Sequence, residues 1–188
     1  MKVLLINNHT DYLHNVVNAL AGHEVEVQKY EPGLDFHWQG KDLIVLSGGG
    51  GEGYELKDKR GNKYWYEDEM NFVLTCNKPL VGICMGFEVI SAAFGSRVTD
   101  LGSRVTGFHT HRVSPVGKKH LIHPKLKQYE HHQFAIPAVS EKHFEVMAYS
   151  DTGIEMIKHK QRKLIASQFH PEVKDGTIGL DHLIARVI

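Results

Sequence analysis

Apolar and polar positions follow two regimes along this chain. In the first half, short continuous apolar runs are separated by stretches of helical spacing. KVLLIN (2–7) reads as a buried strand, with a turn at Asn7–Asn8. In DYLHNVVNALAG (11–22), Leu13, Val16, Val17 and Leu20 recur at helical spacing, and Gly22 supplies a stop. EVEVQKY (24–30) alternates like a strand, and KDLIVLSGGGG (41–51) is an apolar strand running into a glycine loop. DEMNFVLTCN (68–77) reads as a helix, PLVGIC (79–84) as a third buried strand, and MGFEVISAAFG (85–95) as a helix closed by Gly95. Near-continuous apolar strands interleaved with helices predict an α/β protein whose mostly parallel central sheet is covered on both faces. Ligands of such sheets sit at the carboxyl ends of the strands, where SGGGG and Cys84 both fall.

From residue 96 the pattern changes. SRVTDLG, RVTGFHTHRVSPV and HFEVMAYS read as antiparallel strands with turns between them, a small antiparallel addition to the sheet. KLIASQFHPEV (163–173) returns to a buried strand, and GTIGLDHLIARVI (176–188) reads as the last helix. With no repeat or linker, the 188 residues are expected to form a single domain, 1–188. The long polar stretch 51–69 falls outside both regimes. Its Lys57, Lys59, Arg60 and Lys63 read as a solvated basic loop, with partner contact as the alternative.

Charge narrows the partners. Lys+Arg and Asp+Glu both total 22, so no basic face argues for nucleic acid or an anionic membrane. MKVLLINN turns polar too soon for a signal peptide, and no apolar run approaches a membrane span. Two cysteines, Cys76 and Cys84, cannot build a disulfide framework, which points to a reducing, cytoplasmic compartment.

Cys84 also carries the candidate chemistry. G-I-C-M-G between a strand and a helix has the form of a nucleophile elbow, in which Gly82 and Gly86 permit a sharp turn and close strand–helix packing. A helix starting near Met85 would point free N–H groups at the sulfur and favour a thiolate, and the Met85 N–H is placed to bind an oxyanion. The bland alternative is a small buried core residue. QFHPEV supplies His170 at a strand end and Glu172 two residues on, so at strand spacing one carboxylate could orient the imidazole that serves the thiol. The glycine loop offers a second oxyanion donor, most simply the Gly49 N–H.

VGICMGFE, LSGGG and QFHPEV together resemble the signatures of class I, triad-type glutamine amidotransferases. LLINNHTDYLHNVVNAL is similar to the start of anthranilate and aminodeoxychorismate synthase small subunits, and SDTGIEMIKHKQRKLIASQFHPEV to the end of the GMP synthetase amidotransferase subunit. The resemblance implies a flavodoxin-like three-layer sandwich. It implies that Cys84 attacks the glutamine carboxamide, His170 shuttles the proton, Glu172 orients His170, and Gly49 and Met85 hold the oxyanion. It further implies ammonia transfer to a separate synthetase subunit, no cofactor, and a substrate grip formed by Gly48, the residue at position 88, and His132, Gln133 and Phe134 of EHHQFAI.

Two positions depart from that pattern. Glu88 stands where the family has Gln, which leaves a γ-glutamyl peptide hydrolase as the alternative to an amidotransferase. Gly50 replaces a proline of the glycine loop, and a catalytically silent regulatory homologue is the third reading. A zinc site needs three or four converging ligands, usually with a carboxylate or thiolate among them. The pairs His109–His111 and His131–His132 therefore read by default as solvated or hydrogen-bonded histidines, and no metal is expected.

Overall fold

The computed structural model describes residues 1–49 and 65–188. Gly50 and the cluster Lys57, Lys59, Arg60 and Lys63 lie outside the described residues. Among those described, the element order is β1 (Lys2–Asn8), α1 (Leu13–Ala19), β2 (Glu24–Lys29), β3 (Leu43–Gly49), α2 (Glu67–Thr75), β4 (Leu80–Ile83), α3 (Met85–Ala93), β5 (Thr99–Val113), β6 (Lys125–Ala135), β7 (Phe144–Tyr149), β8 (Ile154–His159), β9 (Leu164–Ser167) and α4 (Leu180–Ile184).

All nine strands join one sheet in the order β2-β1-β3-β4-β9-β8-β7-β5-β6. Pairing is parallel from β2 through β9 and antiparallel from β9 through β6. Successive side chains of the parallel strands point to opposite faces. Val3, Leu5, Leu43, Val45, Val81 and Ile83 therefore enter one core with Val16 of α1, Leu20 at its C-terminal cap, and Leu180 and Leu183 of α4. Leu4, Ile6, Ile44, Leu46 and Leu80 enter the other, with Phe72 and Val73 of α2 and Phe87, Val89 and Ile90 of α3. That is why these runs are apolar throughout rather than alternating.

The antiparallel half is larger than the small addition expected: four of the eight strand pairings are antiparallel. SRVTDLG and RVTGFHTHRV are not two strands with a turn. They form one 15-residue strand, β5, which absorbs the irregularity as a register shift between Asp100 and Val105, with Gly102 at φ 73°. β6 and β8 carry no simple apolar alternation, because inward positions of both strands are polar: Gln128, Glu130 and His132 on β6, and Glu155 on β8. α4 is shorter than the expected 176–188 helix. Thr177 N–H donates to Lys127 O (2.8 Å), tying that approach segment to β6 instead.

Candidate active site

The carboxyl ends of β3, β4 and β9 converge, and the candidate residues lie where these strands stop. Cys84 follows β4 and caps α3 with φ 50° and ψ −105°, a conformation rare for a residue with a side chain. The elbow closes because its glycines have no room for more. A Cβ on Gly86 would lie 2.5 Å from Leu46 O, and one on Gly82 would lie 2.8 Å from Gly86 O. Cys84 N–H donates to Ser167 O (2.7 Å), and Glu88 N–H donates to Cys84 O (3.1 Å). The sulfur is buried, with 4% of the residue exposed. Burial pushes its thiol up, opposed by the adjacent His170 imidazole.

His170 Nδ1 sits 2.8 Å from Glu172 Oε1, with both side chains buried. Strand spacing does not make this contact. Strand β9 ends at Ser167, and residues 170–173 form a turn through Pro171, in which Val173 N–H donates to His170 O (3.2 Å). The turn, not strand alternation, brings the carboxylate to the ring. His170 N–H donates to Tyr129 O (2.9 Å), fixing the turn to β6. Nδ1 is taken, and Nε2 has no oxygen or nitrogen partner and lies beside the Cys84 thiol. Burial pulls the His170 pKa down, but Cys84 and Glu172 more than offset it, so the net direction is well above the ordinary histidine value.

Gly48 and Gly49 form the third wall. A Cβ on Gly48 would come within 3.1 Å of His170 Cε1 and 3.4 Å of Cys84 Cβ, so this backbone rests directly against both side chains. A Cβ on Gly49 would collide with Met85 Sδ and lie 3.2 Å from Met85 Cβ. Gly49 and Met85, the two expected oxyanion donors, are thus neighbours.

The expected substrate grip divides into two parts. Glu88 is buried beneath the elbow, where its Oε1 accepts from Gln168 Nε2 (2.9 Å). The same amide nitrogen lies 3.9 Å from Cys84 Sγ. Burial pushes the Glu88 carboxyl up to about 7 against the pull of Gln168, His132 and His170. His132 is buried too, with Nδ1 on Phe134 O (2.7 Å) and Nε2 2.9 Å from Glu130 Oε2. Gln133 and Phe134 are less enclosed, and Gln133 Nε2 donates instead to Asp100 Oδ1 (3.1 Å) across the sheet edge.

Several residues around the site escaped the sequence reading. The Tyr12 ring packs on His170 (centroids 4.8 Å) and against Tyr129 (5.9 Å), and its hydroxyl meets that of Tyr129 at 3.4 Å. Tyr12 reads as one residue of a polar helix start, and only the fold sets it against a histidine far along the chain. Gln168 was visible within the QFHPEV signature, but its role as the amide bridging Cys84 and Glu88 was not.

Comparison with known proteins gives a consistent result. Residues 4–188 match the family described as Glutamine amidotransferase class-I. The chain is 31% identical over 186 residues to a subunit of the glutamine-hydrolyzing GMP synthase of Picrophilus torridus, covering 95% of this chain and 93% of that protein. It is 26% identical over 178 residues to the GMP synthase subunit of the same name from Methanobrevibacter smithii, covering 92% and 87%. A crystal structure described as a GMP synthase subunit from Thermoplasma acidophilum superposes with a TM-score of 0.79 at 22% identity, over 100% of this chain and 94% of that one. A glutamine amidotransferase from Thermotoga maritima gives 0.70 at 16% identity, over 92% and 76%.

Proposed function

The chain belongs to the class-I glutamine amidotransferase family, and from that premise we propose that it hydrolyses the glutamine side-chain amide with a Cys84–His170–Glu172 triad and delivers ammonia to a separate synthetase subunit. One observation carries the assignment of residues: Cys84, held at φ 50° on its elbow, meets the free Nε2 face of an imidazole whose Nδ1 is engaged by Glu172 at 2.8 Å.

In this reading His170 Nε2 takes the Cys84 proton as sulfur attacks the carboxamide carbon. The Gly49 and Met85 N–H groups hold the oxyanion. The imidazolium returns its proton to the departing nitrogen, so ammonia leaves and a γ-glutamyl thioester remains. Water, deprotonated by His170, then attacks the thioester, giving glutamate and restoring the thiol. Glu172 holds the ring and stabilises its charged form. No step calls for a cofactor.

Gly48, Glu88 and His132 form the inner part of the proposed substrate grip, with Gln133 and Phe134 at its outer edge. A neutral Glu88 carboxyl can donate as well as accept, imitating in part the amide that the family carries there. An ionised one would instead receive the substrate α-ammonium. Because Glu88 is a carboxyl so close to the thiol, a γ-glutamyl peptide remains the second substrate to compare with glutamine.

The partner proposal rests on the relatives, which are named subunits of a glutamine-hydrolysing GMP synthase. We further read 1–188 as one domain of flavodoxin-like three-layer form. The strand order 2-1-3-4-9 and the two separate helix-covered cores support that reading. Cytoplasmic residence is supported by two buried cysteines that are unpaired. Among the described residues no helix is long and apolar enough to cross a membrane.

The test is glutamate release from glutamine by the purified protein, alone and with the synthetase subunit of its source. Cys84→Ala is expected to abolish it. Unchanged turnover in that variant would overturn the triad, and preference for γ-glutamyl peptides would move the substrate.

A further inference from the structure

Between β5, β6 and the β7–β8 turn, polar residues of the antiparallel half converge on a cavity of about 230 Å³ that the proposed chemistry does not use. We propose that His111 of β5, Glu130 of β6 and Glu155 of β8 form a binding site for a first-row divalent metal ion such as Mn²⁺ or Zn²⁺. Each offers one ligand atom, and these atoms all lie within 4.8 Å of one another. Donors around one such ion, each about 2.0–2.2 Å from it, stand roughly 3–4.4 Å apart, so small side-chain rotations complete the set.

The three side chains are enclosed and one carboxylate oxygen among them is left without a partner. All three residues are 1% exposed. His111 Nε2 and Glu130 Oε1 approach to 2.9 Å as a buried ion pair. That separation is about what two adjacent ligands of one octahedral ion have. Glu155 Oε2, buried in the same cavity, has no partner. An unpaired buried carboxylate oxygen is costly, and a cation would remove the cost.

The surrounding groups hold the ligands in place. Ser150 Oγ donates to Glu155 Oε1 (2.6 Å), with Thr152 Oγ1 at 3.3 Å. His132 Nε2 lies 2.9 Å from Glu130 Oε2, and the His111 ring stacks on Phe169. Outer contacts of this kind orient metal ligands. One imidazole and two carboxylates, without a thiolate, suit manganese, iron(II) or zinc. The cavity leaves room for water at the open positions. Of the histidine pairs in the sequence, only one member of His109–His111 is used, and its carboxylates come from strands that pair later in the chain.

The experiment uses the full chain, stripped with chelator and titrated separately with MnCl₂ and ZnCl₂ by calorimetry. One equivalent is expected to bind and to raise the Tm. Glu155→Gln and His111→Asn should each weaken binding at least tenfold, while His123→Ala at the surface leaves it unchanged. Should either site variant misfold, electron spin echo spectroscopy of Mn²⁺ bound to the native chain decides, and coupling to one imidazole nitrogen is expected. No saturable equivalent, affinity untouched in folded site variants, or bound Mn²⁺ without imidazole coupling would each overturn the proposal.

Discussion

Cys84 and His170 are both buried, burial opposes charge on each, and in the proposed triad each favours the charged form of the other. In that triad Glu172 fixes the ring through its 2.8 Å contact with Nδ1, leaving Nε2 for the thiol. Glu172→Gln keeps the shape but loses the charge that steadies imidazolium. Turnover of glutamine should fall by roughly 10²–10⁴-fold with KM little changed, as steady-state kinetics would show. Glu88 has a different signature. Its carboxyl is pushed up to about 7 from an ordinary 4.5 by burial. A raised folded-state pKa means that its contribution is fully present below pH 4.5 and is lost as pH rises through 7. Glu88→Gln, which cannot ionise, is therefore expected to unfold at higher denaturant than the native chain at pH 8, by up to about 3 kcal/mol. The difference should vanish near pH 4. Denaturation curves across that range check it, and a constant offset at all pH values would remove Glu88 as the cause.

At the scale of elements, the β4–α3 elbow is the part most exposed to single substitutions. Its angle depends on two backbones approaching within what a methyl would occupy, and Gly86 faces Leu46 main chain rather than a yielding side chain. Gly86→Ala should destabilise by about 1–3 kcal/mol, lowering the Tm by roughly 2–10 °C for a domain of this size. Gly48 faces side chains instead, His170 Cε1 and Cys84 Cβ. Gly48→Ala is expected to cost activity tenfold or more while the Tm moves little. Calorimetry and glutamate release on the same two variants would separate these outcomes. Both glycines were conspicuous in the sequence. Which one guards the fold and which the site follows from what stands opposite each of them.

Across the whole molecule, one sheet runs from β2 to β6 without a break, and β9 joins its parallel and antiparallel halves. Unfolding should accordingly be a single transition. Far-UV dichroism reports both halves, whereas the two tryptophans, Trp38 and Trp65, both pack on the core beside α2 and α3. Coincident curves are expected, and separated ones would make the antiparallel half an independent unit. The sequence by itself determined the parallel half, because strands covered on both faces must be apolar throughout, and the elbow, because G-x-C-x-G leaves few other backbone paths. The nearness of Glu172 to His170 was legible because it is local, although the turn that brings them together was not. Within the antiparallel half, β5 and β7 were legible as strands, whereas β6, β8 and the inward polar network were decided by tertiary structure. There Gln128, Glu130, His132 and Glu155 are buried alongside apolar residues such as Leu126, Met156 and Ile157, and polar residues at inward positions interrupt the hydrophobic period. Tertiary structure also decided that Tyr12 packs on His170 and that Gln168 joins Cys84 to Glu88, since contacts between residues distant along the chain exist only once the sheet has brought its strands together.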